Sequence, residues 1–358
     1  MNLLLFVKEK EILKFFSMFK RLFLLLILLF ASDVFSQYIK GKVVDENKQP
    51  LPSATVYYEG TTMSTLTDEQ GNFILVYEPK IKRPIVISYM GYVTAYAETY
   101  KVGDPLMIIM QQASNSLKEV VIKKSRFSRK EKMIIFKERF LGISPFGLRT
   151  VIENEADIEL EYDEEKMMLK AYSDKPLIII NRSLGYKINY EMIEFEIQFN
   201  KVSLNPHAIT NSFYSGYTRF EEIKSTASVK RNRKEAYNGS PMHFFRCLTN
   251  NSWGKDSFQL FLKGIMTNPI NHFTVLKEGE NFKVLIKKQD FPELKDTKFT
   301  AVLGLLYNNI EQSSVYFYSD TIDIDSYGNL LSTREVAFSG EIQFRKFGDT
   351  LPINYGLE

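Results

Sequence analysis

Between residues 38 and 110, short apolar segments alternate with clusters of turn-forming residues. Alternating apolar and polar positions are typical of strands with one buried face, and Gly, Asp, Asn and Pro favour turns. Asp68 and Gly71, for example, occupy the first and last positions of a four-residue turn. The pattern predicts seven strands, at residues 38–44, 54–58, 61–67, 73–76, 85–89, 93–99 and 106–110. Short strands spaced about ten residues apart indicate an immunoglobulin-like antiparallel β-sandwich over residues 38–113.

Residues 147–358 continue the β-rich pattern with two interruptions. Residues 156–162 and 167–172 alternate around an acidic turn, which predicts a hairpin. Further strands are expected at residues 177–180, 186–199, 213–222 and 335–345. The interruptions are a turn or capped helix at 181–186 and a helical stretch at 231–248, in which Ser240 is a favourable N-cap before Pro241. We expect a larger, mostly antiparallel β-rich (α+β) region with a few short helices.

Residues 114–146 connect the two regions and are rich in basic side chains. Eight Lys or Arg residues lie between positions 123 and 140. Met133, Phe136 and Phe140 recur among them at helical spacing, which predicts an amphipathic helix with a solvated charged face. The alternative is a basic surface that binds phosphate groups.

The first 36 residues have the composition of an export signal. Lys20 and Arg21 precede nine apolar residues at 22–30, small residues follow, and Ser36 marks a cleavage site. The alternative is a membrane anchor, but a spanning helix needs about 20 apolar residues. A start at Met18 would give a compact signal of ordinary shape. We therefore expect an exported mature chain with no spanning helix after signal cleavage.

Charge and cysteine content narrow the partners of the mature chain. Residues 1–36 hold five basic and three acidic side chains, so 41 basic and 40 acidic residues follow them. This balance does not favour nucleic acid or an anionic membrane as a partner. Cys247 is the only cysteine, which excludes an intramolecular disulfide. Aromatic side chains make up 14% of the sequence, as suits pleated surfaces.

Five motifs of the first region occur in a specific order and spacing. They are Gly41-x-Val43, Pro50-Leu51-Pro52-x-Ala54-x-Val56, Gly60-Thr61, Thr67-Asp68-x-x-Gly71-x-Phe73 and Ser88-Tyr89-Met90-Gly91-Tyr92. The set resembles the carboxypeptidase regulatory-like domain, a transthyretin-like module common in Bacteroidetes outer-membrane and secreted proteins. The resemblance implies a structural or binding role. Carboxypeptidase chemistry needs two His and a carboxylate on zinc, and the first His of this chain is His207.

Within these motifs the small and apolar residues have ordinary structural roles. We expect Gly41 and Gly60 at turns or bulges. We expect Val43, Val56 and Phe73 to point into the sandwich core.

Three stretches of the second region, residues 176–190, 214–220 and 233–248, carry a further resemblance. They look like Bacteroidetes proteins known only as carboxypeptidase-like regulatory domain proteins, a resemblance that implies the architecture and an exported location but no mechanism. In TonB-dependent receptors of the same phylum, a stretch similar to Leu117-x-Glu119-Val120-Val121 also follows the regulatory-like domain. The plug and barrel of a receptor would need several hundred residues more than the roughly 230 that remain, so a final strand or a linker strand is favoured for this stretch.

The sequence contains no Gly-rich phosphate loop, no Gly-x-Ser-x-Gly motif and no His-Glu-x-x-His motif. We therefore expect no catalytic, cofactor-binding or metal-ligating residue. His243 and Cys247 lie one helical turn apart and could form a nucleophile pair or half a metal site, although a buried cysteine explains the pattern as well. Asp320, Asp323 and Asp325 could bind calcium, or Asp325 could simply begin a turn.

The candidate binding residues are Arg233, Tyr237, His243 and Arg246. They lie in or after a basic cluster at residues 230–234. Such a cluster can bind an acidic glycan or a lipid phosphate, and the alternative is a solvated helix entrance.

These features favour a non-catalytic protein that binds or scaffolds in the cell envelope, in the periplasm, at the outer membrane or in secreted form. Its partner would be a peptide, a glycan or a protein, and not a nucleic acid. One alternative is an exported hydrolase, peptidase-like or glycosidase-like, with an unrecognised site in residues 147–358. A second is a small outer-membrane barrel or a component of an outer-membrane transport system.

Overall fold

The computed structural model describes residues 37–113, 125–290, 299–332 and 334–356. Strands account for far more of these residues than helices do, and the predicted mainly β fold is confirmed. The predicted signal at residues 1–36 lies outside the described residues, and so do residues 114–124 of the predicted linker.

Seven strands fold the first region into a sandwich of two sheets. They are β1 (Tyr38–Asp45), β2 (Thr55–Tyr58), β3 (Ser64–Leu66), β4 (Asn72–Val76), β5 (Ile85–Ser88), β6 (Ala95–Ala97) and β7 (Leu106–Met110). One sheet has the order β4-β1-β7 and the other β3-β2-β5-β6. The expected core residues Val43, Val56 and Phe73 are buried between the sheets. The pairing is antiparallel as predicted except between β1 and β7, which run parallel because the chain crosses between the sheets before β7.

The two glycines singled out in this region have different roles. Gly60 follows β2 with φ +76°, which confirms the predicted turn. Gly41 lies inside β1, where a Cβ atom would come within 2.6 Å of the Phe73 ring and 2.5 Å of the Leu106 carbonyl oxygen. The prediction of a turn or bulge at Gly41 is therefore wrong, because the missing side chain makes room for an aromatic ring instead.

The helix expected among the basic residues is α1 (Arg129–Phe140). Ser128 caps it, because its Oγ accepts a hydrogen bond from the Glu131 N–H while the Glu131 carboxylate accepts one from the Ser128 N–H. Phe136 and Phe140 are buried on the apolar face, in one core with the largest sheet. The helix is therefore packed into the second β-rich region, and the boundaries of the predicted linker stay a prediction.

Six strands form the largest sheet. They are β8 (Val151–Ile152), β9 (Glu159–Asp163), β10 (Met168–Tyr172), β11 (Leu177–Asn181), β12 (Tyr186–Phe199) and β13 (Ile209–Glu222). The predicted hairpin is present as the antiparallel pair β9 and β10. Strands β12 and β13 pair along almost their whole length, with a bulge between Met192 and Glu194. One face of this sheet is apolar and covers α1, and the other carries polar side chains from β12 and β13.

Two consecutive helices follow the largest sheet, α2 (Ala227–Tyr237) and α3 (Pro241–Asn250). The predicted break between them is confirmed, and Ser240 is the N-cap of α3, since its Oγ accepts a hydrogen bond from the His243 N–H at 3.1 Å. The apolar side of α3, with Phe244, Phe245 and Leu248, enters the core of the last region.

The last region consists of two smaller antiparallel sheets. Its strands are β14 (Phe258–Leu262), β15 (Ile265–Met266), β16 (Phe273–Glu278), β17 (Asn281–Ile286), β18 (Ala301–Tyr307), β19 (Glu311–Phe317), β20 (Thr321–Ile324) and β21 (Val336–Gly340). The orders are β15-β14-β18-β19-β21 and β16-β17-β20. The strand expected at 335–345 is shorter than predicted, because Gly340 adopts φ +80° and a 3₁₀ turn (Glu341–Phe344) follows. Other 3₁₀ turns are Gly147–Arg149, Glu155–Asp157, Pro206–Ala208, Pro269–Asn271 and Phe347–Asp349.

The sandwich and the rest of the chain, Tyr38–Glu358, pack as one compact unit. Backbone hydrogen bonds join the loop after β2 to β13, from the Gly60 N–H to the Thr218 carbonyl at 2.8 Å and from the Phe220 N–H to the Thr61 carbonyl at 3.0 Å. From the other end of the chain, Tyr327 is buried in the sandwich core. Within the described ranges, no helix has the length and apolar character needed to cross a membrane.

Candidate binding cleft

Arg233, the first of the sequence-predicted binding residues, is 6% exposed in α2. Its guanidinium donates hydrogen bonds to the carbonyls of Leu184 at 2.7 Å and Lys224 at 3.0 Å, and it pairs with the Glu222 carboxylate. The guanidinium also lies 4.1 Å from the centroid of the Tyr186 ring. Arg233 thus ties α2 to the turns at the end of the largest sheet.

Arg246 makes a similar set of contacts on α3. Its guanidinium donates hydrogen bonds to three backbone carbonyls, those of Tyr327 at 2.5 Å, Tyr355 at 2.8 Å and Ile353 at 3.2 Å. It also lies 5.3 Å from the centroid of the Tyr237 ring. These bonds hold two segments from the end of the chain against α3.

The structure brings Tyr237, His243 and Arg246 together, whereas Arg233 has its own contacts on the neighbouring helix. The His243 ring lies 4.8 Å from the Tyr237 ring, centroid to centroid, and its Nδ1 accepts a hydrogen bond from the Gly239 N–H at 3.2 Å. Burial, with a smaller effect of two arginines, lowers the pKa of His243 to about 4. Each of these four side chains has a structural role, and their assignment as ligand-binding residues stays a prediction.

The two alternative sites proposed from the sequence have structural explanations as well. Cys247 is fully buried in the core of the last region, and burial raises the pKa of its thiol. The Asp325 carboxylate accepts hydrogen bonds from the backbone N–H groups of Tyr327 and Asn329 at 2.9 and 2.8 Å, and so closes its own turn. In the part of the chain that the structure describes, no three His, Cys, Asp or Glu side chains are grouped so as to hold a metal ion.

A cleft of about 550 Å³ lies between the sandwich and the polar face of the largest sheet. We call it the interface cleft. Its walls are formed by Ser53, Thr55, Tyr57, Ser88, Tyr89 and Met90 of the sandwich, and by Pro176, Asn189, Glu191 and Arg219 of the second region. This volume lies in the range of small-molecule binding sites in proteins.

Strand alternation explains why these side chains face the cleft. Thr55 and Tyr57 are two residues apart on β2, so they share the face that points away from the sandwich core. Asn189 and Glu191 are likewise two apart on β12, on the face opposite the buried Tyr190. The register places Asn189 directly opposite Arg219 of β13.

Two polar atoms at the wall of the cleft have no hydrogen-bond partner among the described residues. They are Nδ2 of Asn189 and Oε2 of Glu191, and both are shielded from solvent. A buried polar atom without a partner costs about 1–3 kcal/mol. The two atoms are complementary, since the amide is a donor and the carboxylate an acceptor.

The other oxygen of Glu191 is held by the sandwich. The Tyr96 O–H donates a hydrogen bond to Glu191 Oε1 at 3.3 Å, and the Tyr96 ring stacks on Tyr217 of β13 at 4.4 Å between centroids. Burial, followed by the charge of Glu191, raises the pKa values of Tyr57 and Tyr96 well above their ordinary range. The two tyrosines therefore stay neutral at physiological pH and act as hydrogen-bonding groups.

Residues 39–122 match the family model of the CarboxypepD_reg-like domain. The match begins in β1 and extends past β7, so it spans the whole sandwich. The sandwich is a CarboxypepD_reg-like domain.

Over 108 residues, the chain is 37% identical to the TonB-dependent receptor SusC of Bacteroides thetaiotaomicron. The match covers 29% of this chain and 10% of the receptor, so the chain spans about a tenth of that relative's length. A solved type II Cohesin-X-Dockerin complex from Acetivibrio cellulolyticus aligns with 22% identity and a TM-score of 0.19, over 21% of this chain and 58% of that chain. A likeness at that TM-score is too weak to assign a fold or a partner.

The CarboxypepD_reg-like domain supplies one complete wall of the interface cleft, and part of that wall belongs to its own sequence motifs. Ser88, Tyr89 and Met90 lie in the last of the five motifs quoted above, and Met90 is 95% exposed at the mouth. Sequence reasoning assigned these residues to a strand end and did not find the cleft. Asn189 and Glu191 belong to the regular polar alternation of β12, together with Lys187, Glu194, Glu196 and Gln198, so the local sequence did not single them out.

Proposed function

We propose that this protein is a non-catalytic binding protein of the cell envelope and that the interface cleft is its ligand site. The observation that carries the proposal is a cleft of ligand size lined by Glu191 and Arg219, two charged side chains that form no ion pair among the described residues. Pockets that combine apolar or aromatic walls with a few placed polar groups are typical of ligand sites.

The way the walls are joined supports this role. Backbone hydrogen bonds at Gly60 and Thr61 fix the CarboxypepD_reg-like domain to β13, and the aromatic stack of Tyr96 on Tyr217 lies beside the cleft. A site with walls fixed in this way loses little conformational entropy when a ligand binds. The envelope location is supported by the export signal expected at residues 1–36 and by the similarity to an outer-membrane receptor. Because a fold does not determine a function, the ligand itself has to be found by experiment.

A cleft-blocking substitution tests the site. The full-length protein would be screened by thermal denaturation against short peptides and oligosaccharides, since a ligand that binds the folded state raises the Tm. We expect Ser88→Trp, which fills the cleft, to abolish the Tm increase. The control Thr274→Trp lies on an exposed position of β16, outside the residues that line the cleft, and should respond like the unmodified protein. An equal Tm increase in Ser88→Trp would place the ligand elsewhere.

Two further measurements address catalysis and location. Mass spectrometry of the recovered ligand should show it unchanged. A consistently cleaved product would contradict the binding role and support a hydrolase. Fractionation of the host cells, with carbonate washing of the membranes, should place the protein in the envelope. Recovery with the cytoplasmic proteins would contradict the proposed location.

The similarity to SusC favours a second candidate function, a component of an outer-membrane transport system. In that case the protein would act beside a TonB-dependent receptor rather than alone. Chemical cross-linking in intact cells, followed by identification of the linked partner, would test it. A receptor as the reproducible partner supports this candidate, and cross-links confined to copies of this chain count against it.

A further inference from the structure

Two oppositely charged side chains line the interface cleft without an ion-pair partner. Among the ion pairs of the described residues, none involves Glu191 or Arg219. The carboxylate of Glu191 has one hydrogen bond, from Tyr96, and the guanidinium of Arg219 lies 6.0 Å from the centroid of the Tyr57 ring. Surface charges on neighbouring strands commonly pair with each other, and these two do not.

The register of β12 and β13 places the two residues diagonally across the strand pair. Arg219 is directly opposite Asn189, whereas Glu191 is directly opposite Tyr217. Glu191 and Arg219 are therefore diagonal neighbours, which lie roughly 7–8 Å apart at the backbone. The cleft thus has a donor end, formed by Arg219 and the Asn189 amide, and an acceptor end, formed by the Glu191 carboxylate.

We propose that the interface cleft binds a short peptide in its zwitterionic form. Its free carboxylate would lie at Arg219 and Asn189, and its free ammonium group at Glu191. This inference rests on the proposed function of the cleft as a ligand site.

The chemistry of the two ends favours this ligand over a neutral one. A guanidinium and an amide present only N–H donors, and a guanidinium binds a carboxylate in a two-point geometry. A carboxylate without an ion-pair partner has only acceptor oxygens, and its charge favours an ammonium group. An extended chain spans at most about 3.3–3.6 Å per residue, so two residues cover the roughly 7 Å between the backbone positions of Glu191 and Arg219.

The remaining walls suit the middle of such a peptide. Thr55 and Ser88 lie opposite each other on β2 and β5, and their hydroxyl groups can donate to or accept from a peptide unit. The Tyr89 ring and the exposed Met90 side chain at the mouth provide apolar surface for a peptide side chain.

The test uses the full-length protein and trialanine, with dialanine and alanine as shorter probes, in isothermal titration calorimetry at low salt. Trialanine and dialanine should bind, and N-acetylation or C-amidation of the peptide should each weaken binding at least tenfold. In Glu191→Gln, N-acetylation of the peptide should no longer weaken binding, whereas C-amidation should still weaken it. Arg219→Gln should do the reverse, which assigns each end of the peptide to one side chain. Glu221→Gln, exposed on the same strand as Arg219, is the control and should bind like the unmodified protein.

The outcomes separate this inference from the proposed function. Blocked peptides that bind as well as free ones would overturn the zwitterion inference. Tight binding of a neutral disaccharide that Ser88→Trp abolishes would also overturn it while keeping the cleft as the ligand site. If alanine binds and the affinity falls for longer peptides, the ligand is a free amino acid and the short-peptide inference is wrong. Peptide binding unaffected by Ser88→Trp, Glu191→Gln and Arg219→Gln would reject the cleft itself.

Discussion

Protonation of His243 should destabilise the fold as the pH falls below neutrality. In the folded protein the Nδ1 atom accepts a hydrogen bond from the Gly239 N–H, and a protonated ring cannot accept that bond. Burial lowers the pKa of His243 from 6.5 to about 4, and the positive charges of Arg246 and Arg345 contribute further. The group is therefore neutral in the folded protein over a pH range in which it is charged in the unfolded chain.

The sign and size follow from proton linkage. Above pH 6.5 the ring is neutral in both states, so its contribution to the free energy of unfolding is fully present. As the pH falls from 6.5 to about 4, the unfolded state binds a proton that the folded state excludes, and stability is lost. With a pKa of 6.5 in the unfolded chain and about 4 in the folded protein, the free energy of unfolding is about 2 kcal/mol lower at pH 5 than above pH 6.5. Since the ring is only partly buried, solvent screening reduces this to ~1 kcal/mol.

The substitution His243→Asn measures this contribution. The Asn side chain keeps an acceptor near the position of Nδ1 and does not titrate. Urea unfolding followed by circular dichroism at half-unit steps from pH 4 to 7.5 gives the free energy of unfolding of both proteins. The variant should be less stable than the unmodified protein at pH 7.5, because it loses aromatic packing. This difference should shrink by ~1 kcal/mol between pH 7 and 5.

The control is His207→Asn, because His207 is exposed. Its stability should run parallel to that of the unmodified protein over the same pH range. Carboxylates and His272 titrate in all three proteins, so they cancel in the differences. A difference curve for His243→Asn that is flat with pH, or that matches the control, would refute the reasoning from burial.

Two further substitutions test the packing described above. Arg246→Ala should cost about 3–5 kcal/mol in urea unfolding, because three backbone carbonyls lose their donor, whereas Arg334→Ala, at a side chain 76% exposed, should change stability by less than about 0.5 kcal/mol. Equal losses of stability in the two variants would show that the carbonyls of Tyr327, Ile353 and Tyr355 find other donors. Gly71→Ala should cost about 2–4 kcal/mol, because its Cβ would lie 2.4 Å from the Val43 carbonyl oxygen. Gly91→Ala, at a similar φ with no neighbouring atom within 4 Å, should lose only about 1 kcal/mol, and a thermal melt that ranks the two equally would contradict the clash.

The local pattern of the chain was sufficient to predict the CarboxypepD_reg-like domain. Strand alternation, turn residues and the spacing of the motifs depend on neighbours within a few residues, so they can be read from sequence. The same holds for Ser240 as a helix cap, because the group that it caps lies three residues away. Gly41 was misjudged because its constraint comes from Phe73 on another strand.

The interface cleft could not be predicted from sequence for a related reason. Its wall residues come from segments more than one hundred positions apart, such as Tyr57 and Arg219. Only the register of β12 on β13 and the docking of the sandwich bring them together. Arg233 and Arg246 were conspicuous in the sequence as charges near aromatic residues, and the structure uses both to bind backbone carbonyls. The residues next to an arginine in the sequence do not distinguish a structural arginine from one that binds a ligand.

The burial of Tyr327 in the sandwich core has a consequence for the order in which the chain folds. The strands of the CarboxypepD_reg-like domain lie within residues 38–110, and most of its core comes from them. That core, however, is completed by a side chain more than two hundred positions further along the chain. Contacts between such distant positions form late, because the intervening chain must first be ordered. The sandwich core should therefore reach its final packing only after the segment that carries Tyr327 has docked against it.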